Sequence, residues 1–167
     1  MRKVLSLAEA VAFAEQRRHD GKTIVFTNGV FDLLHPGHVR YLQDARREGD
    51  ALIVAVNSDR SVRTIKGPER PINPDHERAE VVAALACVDA VVIFDEDDPH
   101  EIVNRLRPDV LVKGADWARD AIVGRETVER RGGRVVRIPL AEGYSSSAII
   151  RKIRSADDDI PKSPGPS

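Results

Sequence analysis

His35 and His38 stand three positions apart around a Pro36-Gly37 pair, at the end of the stretch Thr27-Asn28-Gly29-Val30-Phe31-Asp32-Leu33-Leu34. At that spacing two imidazoles share one face of a first helical turn. Pro36 suits the first helical position, where a missing N–H costs no intrahelical bond, and Gly37 removes a side chain where a ligand could approach the backbone. Free amides at the positive end of a helix, joined by two imidazoles, make a place for phosphate. The plain alternative is a helix-capping turn with two surface histidines, because a short H-x-x-H occurs in many unrelated chains. Context favours the first reading: the apolar run Thr23 to Phe26 precedes the stretch as a buried strand, and Val39 to Arg47 continues it as a helix.

Other polar clusters also follow apolar runs. After Ala51 to Asn57 comes a basic stretch, Arg60, Arg63, Lys66 and Arg70, which Gly67, Pro68 and Pro71 break and which reads as a loop. Lys113-Gly114-Ala115-Asp116-Trp117 continues the run Asp109 to Val112, and Ser145-Ser146-Ser147 follows Arg134 to Leu140. Each has a plain counterpart: a solvated basic loop, a turn with a buried aromatic, and a helix cap whose donors also suit phosphate. The acidic run Asp95 to Asp98 lacks metal-binding spacing and reads as a solvated loop. The chemistry these groups suggest is attack by a phosphate oxygen on the α-phosphate of a nucleoside triphosphate, with pyrophosphate leaving. A phosphate monoester, with a second pKa of about 6, is already largely dianionic at neutral pH and needs no general base. Alignment of two anions and positive charge where negative charge accumulates are what the site must supply. His35, His38, Lys66 and the helix N-terminus meet that need, and Mg²⁺ is expected to arrive with the nucleotide.

The elements that must carry these groups alternate. Ser6 to Arg18 reads as an amphipathic helix with a Ser6/Glu9 capping box and Leu7, Val11 and Ala14 on one face. Asn73-Pro74 is placed to cap a helix through Glu77, Val81, Val82 and Leu85; Ala90 to Phe94 reads as a strand, Pro99 to Leu106 and Glu126 to Arg131 as helices, and Ser145 to Ser147 open a last helix through Ile153. Apolar strand runs alternating with helices predict an α/β fold: a doubly wound five-stranded parallel sheet, with ligands bound beyond the carboxyl ends of the strands. Residues 1–154 form the expected domain and 155–167, rich in Asp, Pro and Ser, a disordered tail. At 167 residues, with 41% apolar and 32% charged residues and a formal net charge of −1, the chain is one ordinary globular unit with no global pull toward nucleic acid or membrane. No apolar run reaches the length of a membrane span and no signal-peptide core stands at the N-terminus, so the cytoplasm is the expected compartment. Cys87, the one cysteine, reads as a small buried thiol.

The H-P-G-H stretch resembles the HxGH signature of the superfamily that holds the cytidylyltransferases, pantetheine-phosphate adenylyltransferase and, more distantly, class I aminoacyl-tRNA synthetases. From Thr27 to Ile153 the likeness narrows. Thr27 to His38, Val54 to Asp59, Lys66-Gly67, Arg70-Pro71, Arg78, Pro108 to Trp117 and Gly143 to Lys152 together resemble the adenylyltransferase domain of the bacterial ADP-heptose pathway. The resemblance implies a Rossmann-like nucleotidyltransferase fold and transfer of AMP from ATP to D-glycero-β-D-manno-heptose 1-phosphate, giving ADP-heptose and pyrophosphate for lipopolysaccharide or a related surface glycan. It also implies a homodimer. Carried over by position, His35 and His38 hold the triphosphate beside Thr27, Asn28, Gly29, Phe31 and Gly37, and Lys66 neutralises the reacting phosphates. Lys113, Gly114, Asp116 and Trp117 lie at the nucleoside, Ser145, Ser146 and Ser147 face the β- and γ-phosphates, and Asp32, Asn57, Arg63, Arg70 and Arg78 serve the sugar phosphate. Two departures stand out. Ile150 occupies the place where the wider superfamily often has an arginine, with Arg151 one position late, and the sugar kinase domain fused to many members has no counterpart here, so a separate kinase is expected to supply the heptose 1-phosphate. A glycerol-3-phosphate cytidylyltransferase and a non-catalytic nucleotide-sensing module remain the alternatives; a dehydrogenase is excluded because no G-x-G-x-x-G follows the first strand.

Overall fold

The computed structural model describes residues 2–141 and 143–158. Strand β1 (Val4–Leu5) leads into helix α1 (Leu7–His19), where Ser6 and Glu9 form the expected capping box. Then come β2 (Ile24–Gly29), α2 (Pro36–Arg47), β3 (Ala51–Asn57), α3 (Asp59–Lys66), α4 (Asp75–Ala83), β4 (Ala90–Phe94), α5 (His100–Leu106) and β5 (Val110–Gly114). A 3-10 turn at Arg119–Ala121, α6 (Arg125–Glu129), β6 (Arg134–Ile138) and α7 (Ser146–Asp158) complete the described chain.

The sheet is parallel throughout, in the order β1-β4-β3-β2-β5-β6. All five expected strands are present. The sixth, β1, is a two-residue edge strand paired with Val91 and Val92 of β4, too short to show a period-two pattern in the sequence. Successive side chains of each inner strand point to opposite faces, and both faces are covered. Ile24, Phe26, Ile53, Ala55 and Leu111 pack with Ala10 and Ala14 of α1 and Ile102 and Leu106 of α5. Val25, Leu52, Val54, Val56, Val110 and Val112 pack with Leu42 and Ala45 of α2 and Ala79 and Val82 of α4. This double burial is why the seven residues of β3 are apolar almost without a break and all buried. From β2 the chain winds outward through β3 and β4, then returns to the other flank of β2 as β5. The order reverses between β2 and β5, so the crevice beyond their carboxyl ends is where a ligand belongs.

Three local expectations change. The basic stretch after β3 is not a loop: Asp59–Lys66 is helix α3, capped by the Ser58 side chain accepting from the Ser61 amide and ended by Gly67 at φ 97°, in the left-handed region that favours glycine. Asn73 does not cap α4; its side-chain amide donates to the Asp32 carbonyl at 2.9 Å, and α4 starts from Pro74 with no side-chain cap. Cys87 is half-buried rather than buried, in the turn before β4, and burial pushes its thiol pKa up. Helix α7 runs on to Asp158, past the expected boundary at 154; the rest of the expected tail, 159–167, lies outside the described residues. Among the described residues no helix is long and apolar enough to cross a membrane.

Candidate active site

A cleft of about 550 Å³ opens over the carboxyl ends of β2, β3 and β5. Sixteen of the expected residues line it: Asn28, Gly29, Phe31, Asp32, His35, Gly37, His38, Asn57, Lys66, Arg70, Lys113, Gly114, Trp117, Ser145, Ser146 and Ser147. Thr27, Arg63, Arg78 and Asp116 are not among the lining residues.

The imidazole pair stands where β2 gives way to α2. His35 is the N-cap of α2 in an extended conformation, and its Nδ1 accepts from the His38 amide at 3.4 Å, so the ring proton belongs on Nε2. The two rings stack with centroids 3.8 Å apart and planes 18° from parallel, and Phe31 leans on His38 at 5.5 Å. Close packing explains two glycines. A Cβ on Gly29 would lie 3.0 Å from the Phe31 ring, and one on Gly37 would lie 3.0 Å from both His35 Nδ1 and Tyr144 Cβ. Burial, and to a lesser degree the neighbouring His35, holds the His38 pKa down at about 4; burial also lowers that of His35. Both rings are therefore neutral near pH 7 and serve as hydrogen-bond donors rather than cations. His38 Nδ1 is buried with no partner among the described residues, which leaves Nε2 as the nitrogen able to meet a ligand.

The depressed His38 pKa carries a prediction for stability. Between its ordinary value of 6.5 and about 4, the unfolded chain takes up a proton that the folded protein resists. The folded state therefore loses stability as pH falls through that window, and none above it. His38→Gln should flatten the acid loss: urea midpoints compared at about pH 7 and about pH 4.5 should fall further in the wild type than in the variant. Parallel losses would contradict the assignment.

Lys113, at the end of β5, is only 9% exposed. Its Nζ donates to the Asn28 side-chain oxygen and, at 3.3 Å, to the Asn28 carbonyl, which ties the ends of β5 and β2 together across the switch point. Burial brings its pKa down to about 8 against the opposing charge of Asp116, and the Trp117 ring lies 5.6 Å from the ammonium. Trp117 itself is 48% exposed, so it is not the buried aromatic of the plain reading. Asp116 folds back over Gly114, where a Cβ would collide with its Oδ1. Thr27 is fully buried, its hydroxyl 2.8 Å from that of Tyr41. Lys66, by contrast, has no hydrogen-bond partner among the described residues and reaches the cleft from the last turn of α3.

Two buried groups clasp the walls. Burial pushes the Asp32 carboxyl up, but the amides of Asn73 and Ile72 and the Arg70 guanidinium outweigh it and hold its pKa below the usual range. Arg78 lies behind the cleft, 2% exposed, donating to the carbonyls of Asn73 at 2.9 Å and Val30 at 2.6 Å and to Asp59 Oδ1 at 2.7 Å. Ser146 is likewise spent on structure, its hydroxyl donating to the Leu33 carbonyl at 2.9 Å, while Ser145 caps the Ala148 amide.

Some lining residues escape a reading of the sequence. Ile65, Pro99, Ile122, Val123, Leu140 and Tyr144 give the cleft apolar walls, and Asp97 and Asp98 line it although their run reads as a solvated loop. Arg60 draws that loop inward by bonding Asp95 at 2.9 Å and Asp97 at 3.1 Å. Among the described residues no group of three or more His, Cys, Asp and Glu side chains is placed to hold a metal ion.

The chain matches the cytidylyltransferase-like family over residues 26–152. It is 55% identical over 139 residues to the bifunctional protein HldE of Syntrophotalea carbinolica, an alignment covering 83% of this chain and 28% of that protein. The chain thus spans under a third of the length of this relative. A solved structure, the lipopolysaccharide core biosynthesis protein from Thermoplasma volcanium, superimposes with a TM-score of 0.64 at 30% identity, covering 73% of this chain and all of that one. Pantothenate synthetase from Thermus thermophilus, at 17% identity and a TM-score of 0.60, covers 93% of this chain and 70% of its own and shares the fold.

Proposed function

The chain belongs to the cytidylyltransferase-like family, and from that premise we propose that it transfers the AMP of ATP to D-glycero-β-D-manno-heptose 1-phosphate, releasing pyrophosphate and forming ADP-heptose for a lipopolysaccharide or related surface glycan. The observation that carries the chemistry is the neutral, stacked His35–His38 pair at the N-terminus of α2, set in one cleft with Lys66 and Lys113. A phosphate oxygen of the acceptor attacks the α-phosphorus, a new P–O bond forms, and the bond to the bridging oxygen breaks with its electron pair leaving on pyrophosphate. No proton moves from the dianionic acceptor.

The protein aligns the reactants and offers donors to developing charge. The α2 amides and the His35 Nε2–H meet the triphosphate, His38 the oxygens around the α-phosphorus, and Lys66 the acceptor phosphate. The wall of Gly114, Trp117 and Leu140 suits a flat base, and Asn57, Arg70, Asp97 and Asp98 suit a phosphorylated polyol. Among the described residues no group of carboxylates is placed to hold a cation, and Asp32 is engaged by Arg70 and two amides. Mg²⁺ would therefore arrive coordinated by the nucleotide phosphates, whose charge it would neutralise. On this reading the chain through the end of α7 is the transferase unit, a kinase supplies the heptose 1-phosphate, and the enzyme works in the cytoplasm as a homodimer.

Pyrophosphate release tests the assignment, with ATP and CTP each offered with the β-heptose 1-phosphate and with glycerol 3-phosphate. Release with ATP and the heptose phosphate alone is the expected result. Release with CTP and glycerol phosphate would keep the mechanism and reassign the substrates, and no release in any combination would leave a nucleotide-binding module.

A further inference from the structure

His35 is the shared member of two near-parallel stacks: His38 at 3.8 Å, and Tyr144, whose ring centroid is 6.0 Å away with planes 22° apart. Tyr144 comes from the segment between β6 and α7, remote in sequence from the H-P-G-H stretch. Three observations show that the meeting is built. A Cβ on Gly37 would lie 3.0 Å from atoms of both His35 and Tyr144, so the bare glycine is what lets the two side chains close over it. The Arg40 guanidinium, one helical turn along α2, stands 5.4 Å from the Tyr144 ring centroid. Two residues beyond Tyr144, the Ser146 hydroxyl donates to the Leu33 carbonyl at 2.9 Å and fastens the segment to the loop that carries His35.

The hydrogen bond that sets the His35 tautomer is long, at 3.4 Å from the His38 amide to Nδ1. Alone it holds the ring weakly. An imidazole that tilts out of plane or turns over about its Cβ–Cγ bond puts carbon where Nε2–H should face a phosphate. We propose that Tyr144, braced by Arg40, is a positioning residue that fixes the His35 ring in its stack with His38 and so keeps the Nε2–H presented to the cleft. Tyr144 is 40% exposed at the rim, so its ring contributes little to the core and acts through its neighbour. The stack needs the aromatic face and not the hydroxyl.

The kinetic half of the test rests on the adenylyl-transfer reading above; the spectroscopic half does not. In the free protein, ¹⁵N imidazole spectra should show one His35 tautomer, protonated at Nε2, in wild type and Tyr144→Phe, and a mixture in Tyr144→Ala. With ATP and the heptose 1-phosphate, Tyr144→Ala should lower kcat about 10- to 100-fold, as a misplaced group does, with the KM for ATP little changed. Tyr144→Phe should recover most of that loss. A Tyr144→Ala protein with the wild-type spectrum and kcat would overturn the proposal. So would a raised KM for ATP at full kcat, which would make Tyr144 a nucleotide contact. If the wild type releases no pyrophosphate, the functional reading fails, and the tautomer spectra still decide the role of Tyr144.

Discussion

Alanine at position 38 is expected to lower kcat about 10²- to 10³-fold, the scale on which removal of one preorganised donor to a transition state is felt. ATP affinity should stay within a few-fold of wild type. The ground-state triphosphate can be held by the α2 amides and the His35 Nε2–H, which the substitution leaves in place. What disappears is a donor on a half-buried ring, where the charge that builds around the α-phosphorus gains more from a fixed dipole than it would in open water. Because His38 is neutral, with a pKa of about 4, it attracts the bound triphosphate weakly and rewards the more polarised transition state. The alanine also strips the stacking partner from His35, so its effect should exceed that of Tyr144→Ala. Single-turnover rates and equilibrium ATP binding, measured on the same protein, separate the two contributions. Matched losses in both would assign His38 to ground-state binding instead.

The parts of this site legible in the sequence are those written locally. His35, Pro36, Gly37 and His38 declare a strand-to-helix junction because proline and glycine constrain the backbone in known ways, and the structure puts α2 at Pro36 with His35 as its cap. Lys113-Gly114 could be placed because β5 is a plain apolar run that ends on them. Helix α3 was open to a finer reading of the same kind: Ser58 before Asp59 is an N-cap signal and Gly67 a stop, but four basic residues dominate the stretch and conceal the short apolar face of Val62 and Ile65. Tyr144, Asp97 and Asp98 belong to another category. Their presence in the cleft depends on contacts across the chain: Tyr144 on Gly37 and Arg40, and the acidic loop on Arg60. No pattern within a window of sequence encodes such contacts. Arg78 shows the converse, because an arginine near phosphate-binding motifs invites a substrate role while the fold buries its side chain completely.

That burial makes Arg78→Met the substitution with the largest expected effect on stability, about 3–5 kcal/mol. Methionine keeps much of the apolar stem and removes the guanidinium. Three acceptors then lose their donors: the carbonyls of Val30 and Asn73, and Asp59 Oδ1. A buried acceptor left unpaired costs its full desolvation, and a carboxylate costs more than a carbonyl. Asp59 is partly open to water, with 28% of its side chain exposed, which places the loss toward the lower end of the range. The consequences should extend to the site, because Val30 lies inside the loop that delivers Phe31 and His35, and Asp59 begins the helix that ends at Lys66. One guanidinium thus sets the spacing between the imidazole wall and the Lys66 wall, much as Asp32 does from the other side through Arg70, Ile72 and Asn73. Urea unfolding at neutral pH measures the stability, and the KM for the sugar phosphate measured well below the melting point gives the opposing test. A protein of wild-type stability with a raised KM for the sugar phosphate would return Arg78 to the substrate. A large loss of stability, with the fraction that remains folded losing ATP and sugar-phosphate turnover together rather than showing a raised KM for the sugar phosphate alone, would establish it as the strut behind the cleft.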